Sequence, residues 1–340
     1  MLEQQNRKKM PCPIGTDNTE NTKNTETAEI DSKIVEQLSK LKEKYDVMGQ
    51  DLSSYLDGLL YANYLTYWDY IHLDTLLSLQ NPKTDFPDEE IFIVYHQITE
   101  LYFKLIRSEM GQISHDKDLT EEWFLKRMQR INRYFRHLVD SFGIMVEGMD
   151  PEQFLKFRMS LLPASGFQSA QYRMIEIASA PIKNLVAKEH RDNLNANTTI
   201  EEMLQHAYWK NGATELSTGK KTLTLNMFEK KYMSEFVKTA YEFKDANLWQ
   251  IYQSKYIDAQ NISALTSAMR EFDHLVNVEW PLQHYKSAVR YLQKDPEVIS
   301  ATGGTNWQKY LPPRFQLRIF YPELWSAGEK ENWGKEKVEY

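Results

Sequence analysis

Three short stretches of this chain gather side chains able to hold a metal or a polar ligand. In Phe92-Ile93-Val94-Tyr95-His96-Gln97-Ile98-Thr99-Glu100, the residues Phe92, His96 and Glu100 recur every fourth position, and Phe103 follows in register, which sets them on one helix face. Such a face joins aromatic surface to an imidazole that exchanges hydrogen bonds near neutral pH. The same stripe also suits an ordinary core in which a neighbour satisfies His96. In Phe154-Leu155-Lys156-Phe157-Arg158, Phe154 and Arg158 lie one turn apart, and Ser165-Gly166 follows a break at Pro163. A guanidinium over an apolar pocket clamps a carboxylate with two parallel bonds, and glycine lets backbone approach a ligand closely. The plainer alternative is a surface arginine beside a helix break. The third stretch, Trp280-Pro281-Leu282-Gln283-His284-Tyr285, carries a histidine on a helical pattern. Neutral imidazole is a common iron ligand, and spacing alone does not choose His284 over His274.

Other chemistries lack their signatures. No HExxH, P-loop, GxGxxG, GxSxG or EF-hand loop is present, and Ala301-Thr302-Gly303-Gly304-Thr305 lacks the lysine and hydroxyl residue of a phosphate loop. The single cysteine, Cys12, excludes a disulfide framework or CxxC site within one chain. With 41 basic and 48 acidic residues the net charge is −7, which disfavours a general nucleic-acid role. No run of 18 apolar residues occurs, so no membrane-spanning helix is expected, and the expected address is the cytoplasm.

The elements that must position these residues read as helices. Glycine and proline are scarce, and apolar residues recur at helical spacing. Helices are predicted over 30–47, over 55–79 with a break near Thr66–Asp69, over 90–113, over 121–146 with Thr120 as N-cap, and over 151–162 opened by Pro151. Helix resumes after Gly166 to 186; further helices cover 226–243 and 263–292, with irregular chain over 209–224. The expectation is an all-α protein: a single large helical domain, a long-helix bundle, over 32–325. A disordered polar leader over 1–31 and a polar tail over 326–340 flank it.

Taken together, these stretches resemble the tryptophan 2,3-dioxygenase family from Tyr61 to Leu311. Phe157-Arg158, Ser165-Gly166-Phe167-Gln168-Ser169 and Gln171-Tyr172-Arg173 match its FR…SGFQS…Q(Y/F)R arrangement. Phe92 to Lys104 is similar to its F-x-x-x-HQ-x-x-EL-x-FK helix, and Tyr67-Trp68-Asp69-Tyr70-Ile71-His72-Leu73-Asp74 to its Y-G-N-Y-L-H-L-D signature. His284 with Arg290 matches its H-x5-R helix, and Thr302-Gly303-Gly304 its TGG loop. The stretch from His284 to Thr302 is longer than the family's usual one, Ala301 replaces a glycine, and Trp68-Asp69 replaces Gly-Asn.

The resemblance implies a bundle enclosing a haem pocket, with haem b held by His284 and O₂ as co-substrate. His96 would bind the indole N–H of L-tryptophan, Phe92 and Phe154 would pack on the ring, and Arg158 and Thr302 would hold the amino-acid end. Ser165 and Gly166 would line the cofactor cavity. Tyr67 and Tyr70 would come from a neighbouring subunit, which implies a homotetramer. The implied reaction opens the indole ring to N-formylkynurenine, in tryptophan breakdown by the kynurenine route. Two alternatives stay open: a superfamily relative that oxygenates another indole or aromatic amino acid, including by one oxygen atom, and a non-catalytic helical haem-binding or interaction protein.

Overall fold

The computed structural model describes residues 31–62, 65–162, 164–214, 220–256, 262–294, 297–298, 308 and 311–335. The leader, except Asp31, and the loop bearing Thr302 lie outside the described residues. The chain forms two compact units, Met1–Leu76 and Leu77–Tyr340. The described residues are all-α apart from one minimal hairpin and two isolated bridges, as the spacing predicted.

The first unit contains α1 (Ser32–Val47), α2 (Leu52–Leu60), α3 (Tyr67–Tyr70) and most of α4 (Leu73–Leu77). Asp31 and Asp51 cap α1 and α2 by accepting from Lys33 N and Ser53 N at 2.9 and 3.1 Å. The expected break near Thr66 is real: Thr66 caps α3, and His72, at φ 53°, separates α3 from α4.

The second unit continues with α5 (Asp88–His115), α6 (Glu121–Ser141), α7 (Gly143–Glu147), α8 (Pro151–Phe157), α9 (Ala170–Ser179), α10 (Lys188–Arg191), α11 (Ile200–Gln205), α12 (Leu223–Glu242) and α13 (Leu248–Ile251). Then come α14 (Ile262–His274), α15 (Trp280–Leu292), α16 (Pro313–Gln316) and α17 (Ala327–Glu331). Helices α5, α6 and α14 form the centre, and α9 packs on α5. Phe124, Met128, Ile131, Phe135 and Leu138 put one helical stripe of α6 in the core. The same period in α5 buries Tyr95, Thr99, Phe103, Ile106, Met110 and Ile113, leaving His96 at the edge of that stripe.

Two departures from the sequence expectation matter for the site. The helix predicted over 121–146 breaks at Phe142 into α6 and α7. The helix predicted over 263–292 is one rod in which a π turn, Leu275–Glu279, joins α14 to α15. Pro281 supplies the cause: it has no N–H, and its ring collides with the carbonyl four residues back in α geometry. The wider turn lets Trp280 N donate to Leu275 O, five residues back.

After α15 the chain makes an unpredicted hairpin, β1 (Gln293–Lys294) against β2 (Glu297–Val298), antiparallel with Gln293 opposite Val298. Two-residue strands leave no period to read. The tail from 326 carries α17, and Trp333 is buried, its indole N–H donating to Arg318 O at 2.9 Å.

Candidate active site

His284 sits on the first turn of α15. The Trp280 carbonyl lies 3.0 Å from its Nδ1. A carbonyl only accepts, so Nδ1 carries the proton and the neutral ring keeps its lone pair on Nε2. Burial presses the ring's pKa down to about 4, and the charges of His96 and Arg173 add to that effect. The imidazole is therefore neutral at physiological pH. Phe142 packs on it at 4.5 Å between centroids and Trp280 at 4.6 Å, edge-on. Further along the same face, Ser287 Oγ donates to Met145 O at 3.2 Å, and Tyr291 Oη to Val146 O at 3.2 Å. Residues 284, 287 and 291 thus seat α15 along α7, which the break at Phe142 sets in place.

His96 repeats the arrangement. Its Nδ1 meets the Phe92 carbonyl, one turn back, at 2.7 Å, so its Nε2 is the free acceptor. The side chain is solvent-accessible, yet desolvation is the main cause lowering its pKa, ahead of the Phe92 hydrogen bond and the Glu100 charge, which raise it. Phe92 stacks on it at 4.1 Å, and Tyr95 lies edge-on at 6.3 Å. Two chains of rings lead away. Tyr95 meets Phe142 at 5.7 Å, and Phe142 meets His284; Phe92 meets Phe157 at 6.0 Å, Phe157 meets Phe154 at 5.5 Å, and Phe154 meets Tyr291 at 4.6 Å. Both routes run from the His96 imidazole to α15. At the start of α5, Asp88 Oδ2 accepts from Asp150 N, which ties the ends of α5 and α8 that bear Phe92 and Phe154.

Arg158 opens the 3₁₀ turn after α8 and is only 7% exposed. Desolvation lowers its pKa from the ordinary guanidinium value. It follows Phe157, so the buried cation adjoins the aromatic wall. Ser165 and Gly166 lie on the turn before α9. Ser165 N donates to Gln168 Oε1 at 2.8 Å, and Gln168 in turn donates to Thr224 O at 3.3 Å, which pins the turn to α12. A Cβ on Gly166 would meet no protein atom within 4 Å, so no contact within the chain demands glycine there. Tyr67 and Tyr70 lie on α3 of the first unit, 71% and 74% exposed.

The structure thus brings His96, His284, Phe92 and Phe154 together through shared ring contacts and electrostatics. His274 stands apart from this group: it pairs with Glu279 at 3.0 Å and faces Trp333. Other histidines are engaged elsewhere: His115 with Glu242, and His190 stacked on His206 at 4.3 Å. Sequence reasoning missed Phe142, Phe157 and Tyr291 as lining residues. It also missed Pro281, whose position inside a helical pattern was the available signal for the π turn.

Two imidazoles joined by a run of aromatic rings between long helices mark the class: an all-α protein whose candidate chemistry is built from side chains on neighbouring helices. Comparison then gives the family. The model of tryptophan 2,3-dioxygenase matches residues 60–278. Curated tryptophan 2,3-dioxygenases are similar across most of the chain. That of Bacillus thuringiensis subsp. konkukian is 29% identical over 271 residues, 78% of this chain and 92% of its own length. Those of Ruegeria sp. TM1040 and Bradyrhizobium diazoefficiens are 27% and 25% identical over 281 and 268 residues, with the same 78% and 92% shares. The chain belongs to the tryptophan 2,3-dioxygenase family, a family of oxidoreductases. The family match covers Phe92, His96, Phe154, Arg158, Ser165 and Gly166 and ends before His284. Among the described residues no helix is long and apolar enough to cross a membrane.

Proposed function

We propose that the chain holds haem b through His284 and uses O₂ to open the indole ring of L-tryptophan to N-formylkynurenine. The observation that carries this reading is the matched pair of imidazoles. His96 and His284 each spend Nδ1–H on a carbonyl one turn back, which leaves the Nε2 lone pair of each for a ligand, and contacts through Tyr95 and Phe142 join the two rings. The donor set suits a porphyrin, which asks for a single neutral imidazole whose second nitrogen is hydrogen-bonded. The open space at the missing Cβ of Gly166 suits a cofactor edge in the same way. Haem supplies O₂ activation, which no side chain provides.

The protein's own part is binding and orientation. His96 Nε2 accepts the indole N–H, and Phe92 and Phe154 wall the ring. Arg158, desolvated on the adjoining turn, pairs with the substrate carboxylate. Ser165 and Gly166 line the cavity, and Thr302 reaches the ammonium and carboxylate end. Together these contacts would fix the orientation of the indole, which is worth more than binding alone because it removes orientational freedom before reaction.

The same reading makes the protein a cytoplasmic homotetramer in which Tyr67 and Tyr70 complete a neighbouring copy's site. Its support is that no residue of α1–α4 is buried, while Leu59, Leu60, Tyr61, Tyr67, Trp68 and Tyr70 are all more than half exposed. The test is product mass after incubating haem-loaded protein with tryptophan, ascorbate and O₂. A product carrying two added oxygen atoms is expected; a product carrying one would refute the dioxygenase reading.

A further inference from the structure

The π turn that precedes α15 leaves a backbone acceptor without its helical partner. In π geometry the carbonyl of Val276 looks five residues on for a donor and finds Pro281, which has no N–H. Two side chains from outside the helix take that place. Tyr172 Oη, from α9, donates to Val276 O at 3.0 Å. Arg318 Nη2, from the segment after α16, donates to the same oxygen at 3.1 Å and to Tyr172 Oη at 3.1 Å. One carbonyl oxygen has two lone pairs, and both are used. The clamp is itself immobilised. Arg318 Nη1 pairs with Glu176, which is fully buried and also pairs with Arg173 at 2.8 Å. Tyr172 and Arg318 are 5% and 2% exposed, so water does not compete.

We propose that Tyr172 and Arg318 are positioning residues for His284: by holding the Val276 carbonyl they lock the π register, and that register sets the imidazole of α15 against Phe142. A turn relaxed to α geometry would displace α15 by one residue, roughly 100° of rotation about its axis. His284 would then leave Phe142, and Ser287 and Tyr291 would leave the α7 carbonyls they hold. The clamp is assembled from three distant parts of the chain: α9, the segment after α16 and the π turn itself. This inference rests on the reading of His284 as the iron ligand.

The experiment compares Tyr172→Phe, Arg318→Lys and a control, Lys210→Met, which breaks a separate buried pair with Glu229. Amide hydrogen exchange over 275–284 is followed in the haem-free full chain, and the ferrous iron–histidine stretching band after loading with haem b. Tyr172→Phe is expected to speed exchange in that window about fivefold, the loss of one hydrogen bond, and to shift or broaden the iron–histidine band. Arg318→Lys keeps the charge but loses the fork, and moves both readouts further. Lys210→Met lowers Tm and moves neither. If both clamp variants keep the wild-type exchange and band, or if the control moves them equally, the inference is overturned. Tyr172→Phe removes only a hydroxyl, so it decides alone if Arg318→Lys does not fold. A wild-type band that survives His284→Ala overturns the functional reading and this inference with it; variants without effect on a His284-dependent band overturn this inference alone.

Discussion

Arg158→Leu tests the carboxylate clamp. The guanidinium is 7% exposed, and burial lowers its pKa. Its pairing with a substrate carboxylate would therefore form largely out of water, where an ion pair is strong and where removing one partner strands the other. Truncating one member of a buried charge pair costs about 2–5 kcal/mol. At about 1.36 kcal/mol per decade that is a loss of roughly 30- to 5000-fold in kcat/KM for tryptophan. The assay pairs tryptophan with tryptamine, which lacks the carboxylate. Tryptamine affinity should change by less than about threefold, the range of an ordinary packing change. Arg158→Lys should recover only part of the loss, since a point charge cannot offer two parallel bonds. The haem Soret band should stay intact in both variants. Equal losses for the two ligands would show that Arg158 acts through the fold, and unchanged tryptophan kinetics would remove it from the site.

Three further outcomes follow from the same geometry. His96→Ala should narrow the discrimination between tryptophan and 1-methyltryptophan, because the lost Nε2 acceptor is what a methylated indole nitrogen cannot engage; unchanged selectivity would count against that contact. His284 titrates at about 4 in the fold against about 6.5 unfolded, so its contribution is complete above pH 6.5 and is lost as pH falls toward 4. The ceiling is about 3 kcal/mol, less after solvent screening, and should appear as a pH-dependent gap between haem-free wild type and His284→Gln; Asp273, pushed up to about 6 by burial, acts in the opposite sense between pH 4 and 6 in both proteins. Thr120→Ala should cost about 1 kcal/mol in urea unfolding, since Thr120 Oγ1 caps α6 through Trp123 N at 3.3 Å; no change would mean that cap contributes nothing.

Much of the fold was legible because long amphipathic helices write their period into the sequence. The stripes of α5 and α6, the Thr120 cap and the Pro151 start all stand where the pattern put them. The breaks were harder. Phe142 interrupts α6 and α7 beside Gly143, but one glycine inside a helical pattern does not by itself mark a break; an aromatic that packs on Trp280 and His284 fixes the bend through tertiary contact. The π turn did leave a mark in Pro281, but the carbonyl it frees is satisfied by Tyr172 and Arg318, 104 and 42 residues away, which no local reading reaches. The site shows the same division. His96, Phe92 and Phe154 could be nominated from spacing and resemblance. What separates His284 from His274, the Trp280 carbonyl on one ring and Glu279 beside the other, is not written in their spacing. Thr302 lies outside the described residues, and the tyrosines of α3 lie in the first unit, exposed to solvent.

Haem titration of the purified full chain and of His284→Ala, followed optically in the reduced state with and without tryptophan, tests the central claim most directly. The wild type should develop a saturable Soret band that tryptophan perturbs, and His284→Ala should fail to retain the cofactor. A variant spectrum matching the wild type, or a wild-type band indifferent to tryptophan, would contradict the account.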